Sequence, residues 1–140
     1  MIYQTTHAAE LESLSIFRDF INTACQQQDV REPEVVYDLK LAVDEACTNI
    51  ISHGYSGVNP GSIIVALEFL PGTILVRITD FGHIFEPSLS PLPDLQANLD
   101  GKPEGGFGLY FIYQTMDQVD YKTTEDGNCL TFTKYLLGKL

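Results

Sequence analysis

Basic residues are scarce in this chain. Eight Lys and Arg stand against nineteen Asp and Glu in 140 residues, a formal net charge of -11. That balance disfavours a nucleic-acid or anionic-membrane surface, since both present negative charge that only a basic field would hold. An anionic ligand such as a nucleotide would have to be met locally, by backbone N–H groups, a cation and one or two lysines. The expected partner is therefore a protein or a small molecule. Cysteine is sparse too: Cys25, Cys47 and Cys129 are odd in number, far apart and without CxxC spacing, which excludes a disulfide framework and a zinc site and leaves reduced, mostly buried thiols. No apolar run approaches the ~20 residues needed to span a bilayer. The opening MIYQTTHAAELESL lacks a basic stretch followed by an apolar one, so the cytoplasm is the expected compartment. There is no internal repeat and no second composition, and residues 1–140 are expected to form one domain. Hydrophobic residues at 44% and aromatics at 11% suffice for its core.

What is present falls into alternating patterns. Ile2 to Thr6 can form a short strand. Ala8 to Gln27 carries Leu11, Leu14, Phe17, Phe20, Ile21 and Ala24 at helical spacing and ends in a polar run. Pro33 suits the first turn of a second helix running to about His53, in which Val36, Leu39, Val43, Ala46 and Ile50 make an apolar stripe. Asp38, Glu45 and Asn49 fall on another face of that helix. The β-branched runs 62–70 and 73–79 flank Pro71-Gly72 and read as a tight hairpin. Residues 87–104, rich in proline, have the length of a lid. A third helix is expected from about Leu109 to Met116, then strands near 118–123 and 128–136 meeting at Asp126-Gly127. Hairpin-joined strands with interspersed helices predict an α+β fold, a two-layer sandwich of a mostly antiparallel sheet with helices on one face.

Three stretches carry chemistry. Glu45 and Asn49, four residues apart on a helix, project the same way, so one could accept a proton while the other offers a carbonyl oxygen to a hard cation. Alone, they are more simply a solvated helix face. Asp80 at a strand end could accept hydrogen bonds from an exocyclic amine such as that of adenine, and Gly82 would let a flat ring approach the backbone; as an isolated DxG this is a turn. Gly105-Gly106-Phe107-Gly108 enters a helix after the presumed lid, where unpaired N–H groups and the helix dipole favour phosphate oxygens, although glycines before a helix are commonly loop punctuation.

Taken in order, E-x-x-x-N, D-x-G and G-x-G resemble the N, G1 and G2 boxes of the ATPase superfamily that includes gyrase, histidine kinases and a heat-shock chaperone. LAVDEACTNIISHGY, ITDFGHIFEP and EGGFGLYFIYQTMDQVDY further resemble the bacterial anti-sigma-factor serine kinases of the stress and sporulation type. The resemblance implies the histidine-kinase-like ATPase fold, Mg-ATP bound beneath a lid, and partner switching. Such a protein binds a sigma factor or other regulatory target and phosphorylates a serine on an anti-sigma-factor antagonist. Relatives commonly form homodimers. By position, Glu45 would be the general base and Asn49 the Mg2+ ligand. Asp80 would select adenine, Gly82 would line the base pocket, and Gly105, Gly106 and Gly108 would let backbone reach the phosphates.

The chain departs from that pattern in three places. The fuller D-x-G-x-G form is broken at Ile84, while the shorter D-x-G-x-x-F-[DE]-P form survives as Asp80, Gly82, Phe85, Glu86 and Pro87. Gly127-Asn128 stands where relatives commonly carry Gly-Thr, which leaves no hydroxyl there for a phosphate contact. Glu104 stands where some relatives carry arginine; Lys102 is then the candidate for the missing positive charge in ATP binding, or else a solvated lid residue. His53 and His83 have no second His or Cys at metal spacing. The expected activity is that of an ATP-dependent protein-serine kinase, and the alternative is a non-catalytic ATP-binding module that sequesters a protein partner.

Overall fold

The computed structural model describes residues 1–54 (side chains to Ser52), 61–82, 112, 114–125 and 127–136. The elements in chain order are β1 (Ile2–Ala8), α1 (Ser13–Gln27), α2 (Pro33–Asn49), a π-helical turn (Ile50–Gly54), β2 (Ser62–Leu70), β3 (Thr73–Asp80), β4 (Gln118–Thr124) and β5 (Gly127–Tyr135). All strand pairs are antiparallel, in the spatial order β1-β2-β3-β5-β4. This is the expected α+β layering, with helices on one face of an antiparallel sheet.

Period-two alternation decides which side chains face the helices. In β3, Ile74, Val76, Ile78 and Asp80 are buried and the residues between them are less so. The same phase continues through Ile63, Val65 and Leu67 of β2 and Leu130 and Phe132 of β5, which lie opposite or beside them in register. From the helices, Phe17, Ile21, Ala24, Leu39, Val43, Ala46 and Cys47 complete one core. Phe132, at 0% exposure, is among its largest members. Ile112 and Met116 are buried there too, and the Met116 N–H donates to the Ile112 carbonyl at 3.0 Å, the bond of a helical last turn. The rest of the expected third helix, the presumed lid at 87–104 and the turn residue Asp126 lie outside the described residues.

Two boundaries differ from the sequence expectation. The first helix starts at Ser13 rather than Ala8, because β1 continues to pair through Ala8 with Ser62, and the Ala9 N–H still reaches the Gly61 carbonyl at 2.8 Å. Leu11 therefore sits in the connecting turn, exposed. The second helix has α-helical hydrogen bonding only to Asn49 and widens into a π-helical turn at Ile50–Gly54. Such single-turn widenings slip the side-chain register and occur frequently at functional sites.

The β2–β3 hairpin turns through Gly72 at φ 67°, a left-handed conformation that glycine takes without cost. Because β4 lies outside β5, the β4–β5 hairpin brings the start of β5 back beside the end of β3. That return sets up the site.

Candidate functional site

Asn49 is 5% exposed, although the sequence placed it on a polar face apart from the apolar stripe. The stripe is broader than expected, since Val35, Ala42 and Cys47 are buried as well, and Asn49 lies at its edge. Its Nδ2 is buried without a hydrogen-bond partner among the described residues. A buried, unpaired amide costs on the order of 1–3 kcal/mol. Glu45, one turn earlier, is half-buried. Burial first, and the neighbouring Asp44 second, raise its carboxyl above the usual carboxylate range. Asp44 is in turn held by Arg18 of α1, Nη1 to Oδ1 at 2.7 Å. Asp38 has a separate role: Lys134 of β5 donates to it at 3.2 Å and to the Thr115 carbonyl at 2.6 Å, tying α2 to the sheet.

At the sheet end, Asp80 and Asn128 are paired in register on the helix-facing side, 5% and 4% exposed. Alternation that has been burying isoleucine and valine thus delivers a carboxylate and a carboxamide into the same layer. The Gly82 N–H donates to Asp80 Oδ1 at 2.9 Å, closing the turn that ends β3. Asn128 Nδ2 donates to Asp80 Oδ1 and to the Gly82 carbonyl, both at 3.1 Å. Gly127 sits at φ 129°, and a Cβ on it would meet the Asp80 carbonyl at 2.8 Å and the Phe81 ring at 3.0 Å. Phe81 itself is half-exposed.

Both halves are buried where α2 and the sheet share one core. Cys47, between Glu45 and Asn49 on α2, has its thiol pushed up by burial first, then by the charges of Asp44 and Asp80. Asp80 therefore lies within electrostatic reach of the turn that carries Asn49. No group of three or more His, Cys, Asp or Glu suited to a metal ion occurs among the described residues.

A family model described as the histidine kinase-like ATPase domain matches residues 7–134. The chain belongs to the histidine kinase-like ATPase family. Within that family it is 34% identical over 109 residues to the serine-protein kinase RsbW of Bacillus velezensis, covering 74% of this chain and 67% of the relative. The corresponding figures for the serine/threonine-protein kinase BtrW of Bordetella bronchiseptica are 30% over 99 residues, 71% and 70%. An RsbW of Staphylococcus aureus is 37% identical over 108 residues, 72% of this chain and 66% of the relative. Among solved structures, the RsbU and RsbW domains of a Mycobacterium tuberculosis protein superpose at a TM-score of 0.69 with 15% identity, covering 97% of this chain and 32% of that one. The histidine kinase domain of an Erythrobacter litoralis blue-light activated kinase gives 0.55 with 17% identity, 88% of this chain and 61% of that one. These two likenesses show the fold, and membership of the ATPase family implies ATP binding by the domain.

Of the residues predicted from sequence, Glu45, Asn49, Asp80 and Gly82 are on the elements expected. Gly105, Gly106, Gly108, Lys102 and His83 lie outside the described residues. Sequence reasoning passed over Asn128 as a missing hydroxyl near phosphate, whereas its side chain is engaged at the D-x-G turn. The available signal was its phase, two and four residues before the apolar Leu130 and Phe132 on the buried side of a strand. No helix among the described residues is long and apolar enough to cross a membrane.

Proposed function

We propose that this protein is an ATP-dependent protein-serine kinase whose substrate is a serine on a small anti-sigma-factor antagonist, and that it also binds a sigma factor or similar regulatory target. The observation that carries the nucleotide site is the buried Asn49 amide, without a partner among the described residues, one turn beyond a half-buried Glu45, with Asp80 buried at the end of β3. The serine or serine/threonine kinase activity of relatives at 30–37% identity supports the rest.

Asn49 fits a Mg-nucleotide because its carboxamide offers both groups required: the oxygen to the cation, the orphan N–H to a phosphate oxygen. Mg2+, when bound, neutralises triphosphate charge. Asp80 accepts from the exocyclic amine of adenine. Gly82 allows the ring close approach, and Gly105, Gly106, Gly108 and Lys102 are assigned to the phosphates. Glu45 takes the proton of the serine hydroxyl as the oxygen bonds to the γ-phosphorus and ADP leaves; its raised carboxyl is the stronger base for it. Net negative charge on the protein leaves positioning and local dipoles to do most of the stabilisation.

The decisive test is phosphotransfer from labelled ATP to the antagonist protein. Glu45→Ala should lower transfer by roughly 100-fold or more, the usual contribution of a positioned base, while the Mg-ATP affinity read by calorimetry changes little. Unaltered transfer would remove Glu45 from its role. ATP binding with no transfer to any antagonist serine by the parent protein would favour the non-catalytic sequestering module.

A further inference from the structure

Where the end of α1 lies beside the start of α2, the two helices leave a cavity of about 470 Å3. Small-molecule sites have volumes of about 300–1,000 Å3. Helical spacing sets its walls. Asn22 and Gln26, four residues apart on α1, line one side, and Tyr37 and Lys40, three apart on α2, line the other. Cys25, 1% exposed, and Val36, packed against the core, form an apolar base. No Asp or Glu is in the lining, in a chain that has nineteen. Arg18, Arg31, Arg77 and Lys134 are each held by a carboxylate, whereas Lys40 has no ion-pair partner among the described residues. Asp44, one turn further along α2, is taken by Arg18 at 2.7 Å. The side chains of Asn22, Gln26 and Tyr37 likewise make no hydrogen bond among the described residues. The charge of Lys40 is felt at the base of the cavity: it draws the Cys25 thiol down, while burial, the larger cause, pushes it up to about 11.

We propose that this cavity is a ligand site for a small aromatic monocarboxylate, held with its carboxylate on Lys40 and the α1 amides and its ring against Tyr37 and Val36. Each part of the ligand answers a wall. One ammonium is a point charge that matches one carboxylate, and the Asn22 and Gln26 amides offer N–H groups to the remaining lone pairs. A polyphosphate would need more cations than the lining supplies. The exposed Tyr37 ring and the apolar base suit a flat hydrocarbon body. An acidic protein segment is disfavoured, because a partner of like sign meets the whole net charge of -11, whereas a singly charged small anion responds to Lys40 and is screened from charges more than about 10 Å away at 0.1 M salt. This site is independent of the nucleotide assignment, since it uses the first half of α2 and leaves Glu45 and Asn49 untouched.

The experiment titrates 2-naphthoate, and 2-naphthamide as its uncharged counterpart, into the full chain while backbone and side-chain amide resonances are followed by NMR. Saturable shifts should centre on the cavity, the side-chain amides of Asn22 and Gln26 included, with a Kd of about 1 mM or tighter. 2-Naphthamide should bind about 10-fold more weakly or worse, the loss expected when a hydrogen bond to a charged group is removed. Lys40→Met keeps an unbranched, helix-compatible side chain and should weaken 2-naphthoate by the same factor, and Lys40→Arg should recover most of the affinity. Equal binding of the two probes, or 2-naphthoate affinity unchanged in Lys40→Met, overturns the carboxylate site. Shifts centred on Asp80 and Gly82, or no saturable shift in the parent, overturn it as well. A chain that binds Mg-ATP and not 2-naphthoate would lose this site and keep the nucleotide site.

Discussion

Glu45 and its neighbours show how a carboxylate is tuned by position. The folded carboxyl is raised above its unfolded value, mainly by burial and then by Asp44. The proposed base role requires the ionised form, so the acid limb of the phosphotransfer pH profile should lie above the ordinary carboxylate range. Asp44→Asn removes the smaller cause and should move that limb down, short of the ordinary value because burial remains; a limb that stays put would show that Asp44 is fully offset by Arg18. Stability has the matching sign. A raised carboxyl costs nothing below its unfolded pKa and its full penalty above the folded one. Glu45→Gln should therefore melt slightly higher than the parent at neutral pH and equal to it in acid. The placement of Glu45 and Asn49 one turn apart was legible from their spacing along one helix. What depends on depth was illegible: Asn49 sits at the margin of an apolar stripe, and only packing against the sheet decides that its amide is buried and orphaned.

Among the elements, the ends of β3 and β5 lie side by side, with Asp80 and Asn128 in register and hydrogen-bonded. β3 was readable as a strand from its β-branched alternation, and its phase put Asp80 on the apolar side. The contact with Asn128 was not readable, because β4 and β5 are separated from β3 by some forty residues, and register across such a distance is set by tertiary pairing. Helix boundaries were missed for similar reasons. Strand pairing through Ala8 took residues assigned to α1, and a π-helical turn interrupted the periodicity expected to run to His53. Gly127 offers the sharpest test at this scale. Gly127→Ala adds a Cβ against the Asp80 carbonyl in a backbone conformation that alanine resists, so about 1–3 kcal/mol of stability should be lost. Nucleotide affinity should fall with it, since the Asp80 turn must shift. Denaturant unfolding and calorimetry on the same preparation would show both; loss of neither would mean that the turn is free to yield.

For the whole molecule, the formal charge of -11 is the dominant global quantity. Self-repulsion of this size destabilises the compact state and is screened by salt. Thermal midpoints should rise between low and physiological NaCl, and a falling midpoint would show that specific ion pairs such as Arg77–Glu68 outweigh the net field. The same charge explains the architecture of the site. With no basic field to attract a triphosphate, the proposed site draws its affinity from Mg2+, backbone N–H groups, Lys102 and one buried carboxamide. The central claim is thus a metal-dependent nucleotide site organised on Asn49. The measurement that reaches it most directly is a calorimetric titration of ATP into the parent and into Asn49→Ala, each with and without Mg2+. Saturable binding by the parent that disappears without Mg2+ and is lost in Asn49→Ala is the predicted result. Binding by the variant equal to that of the parent, or no binding by the parent with Mg2+ present, would contradict it.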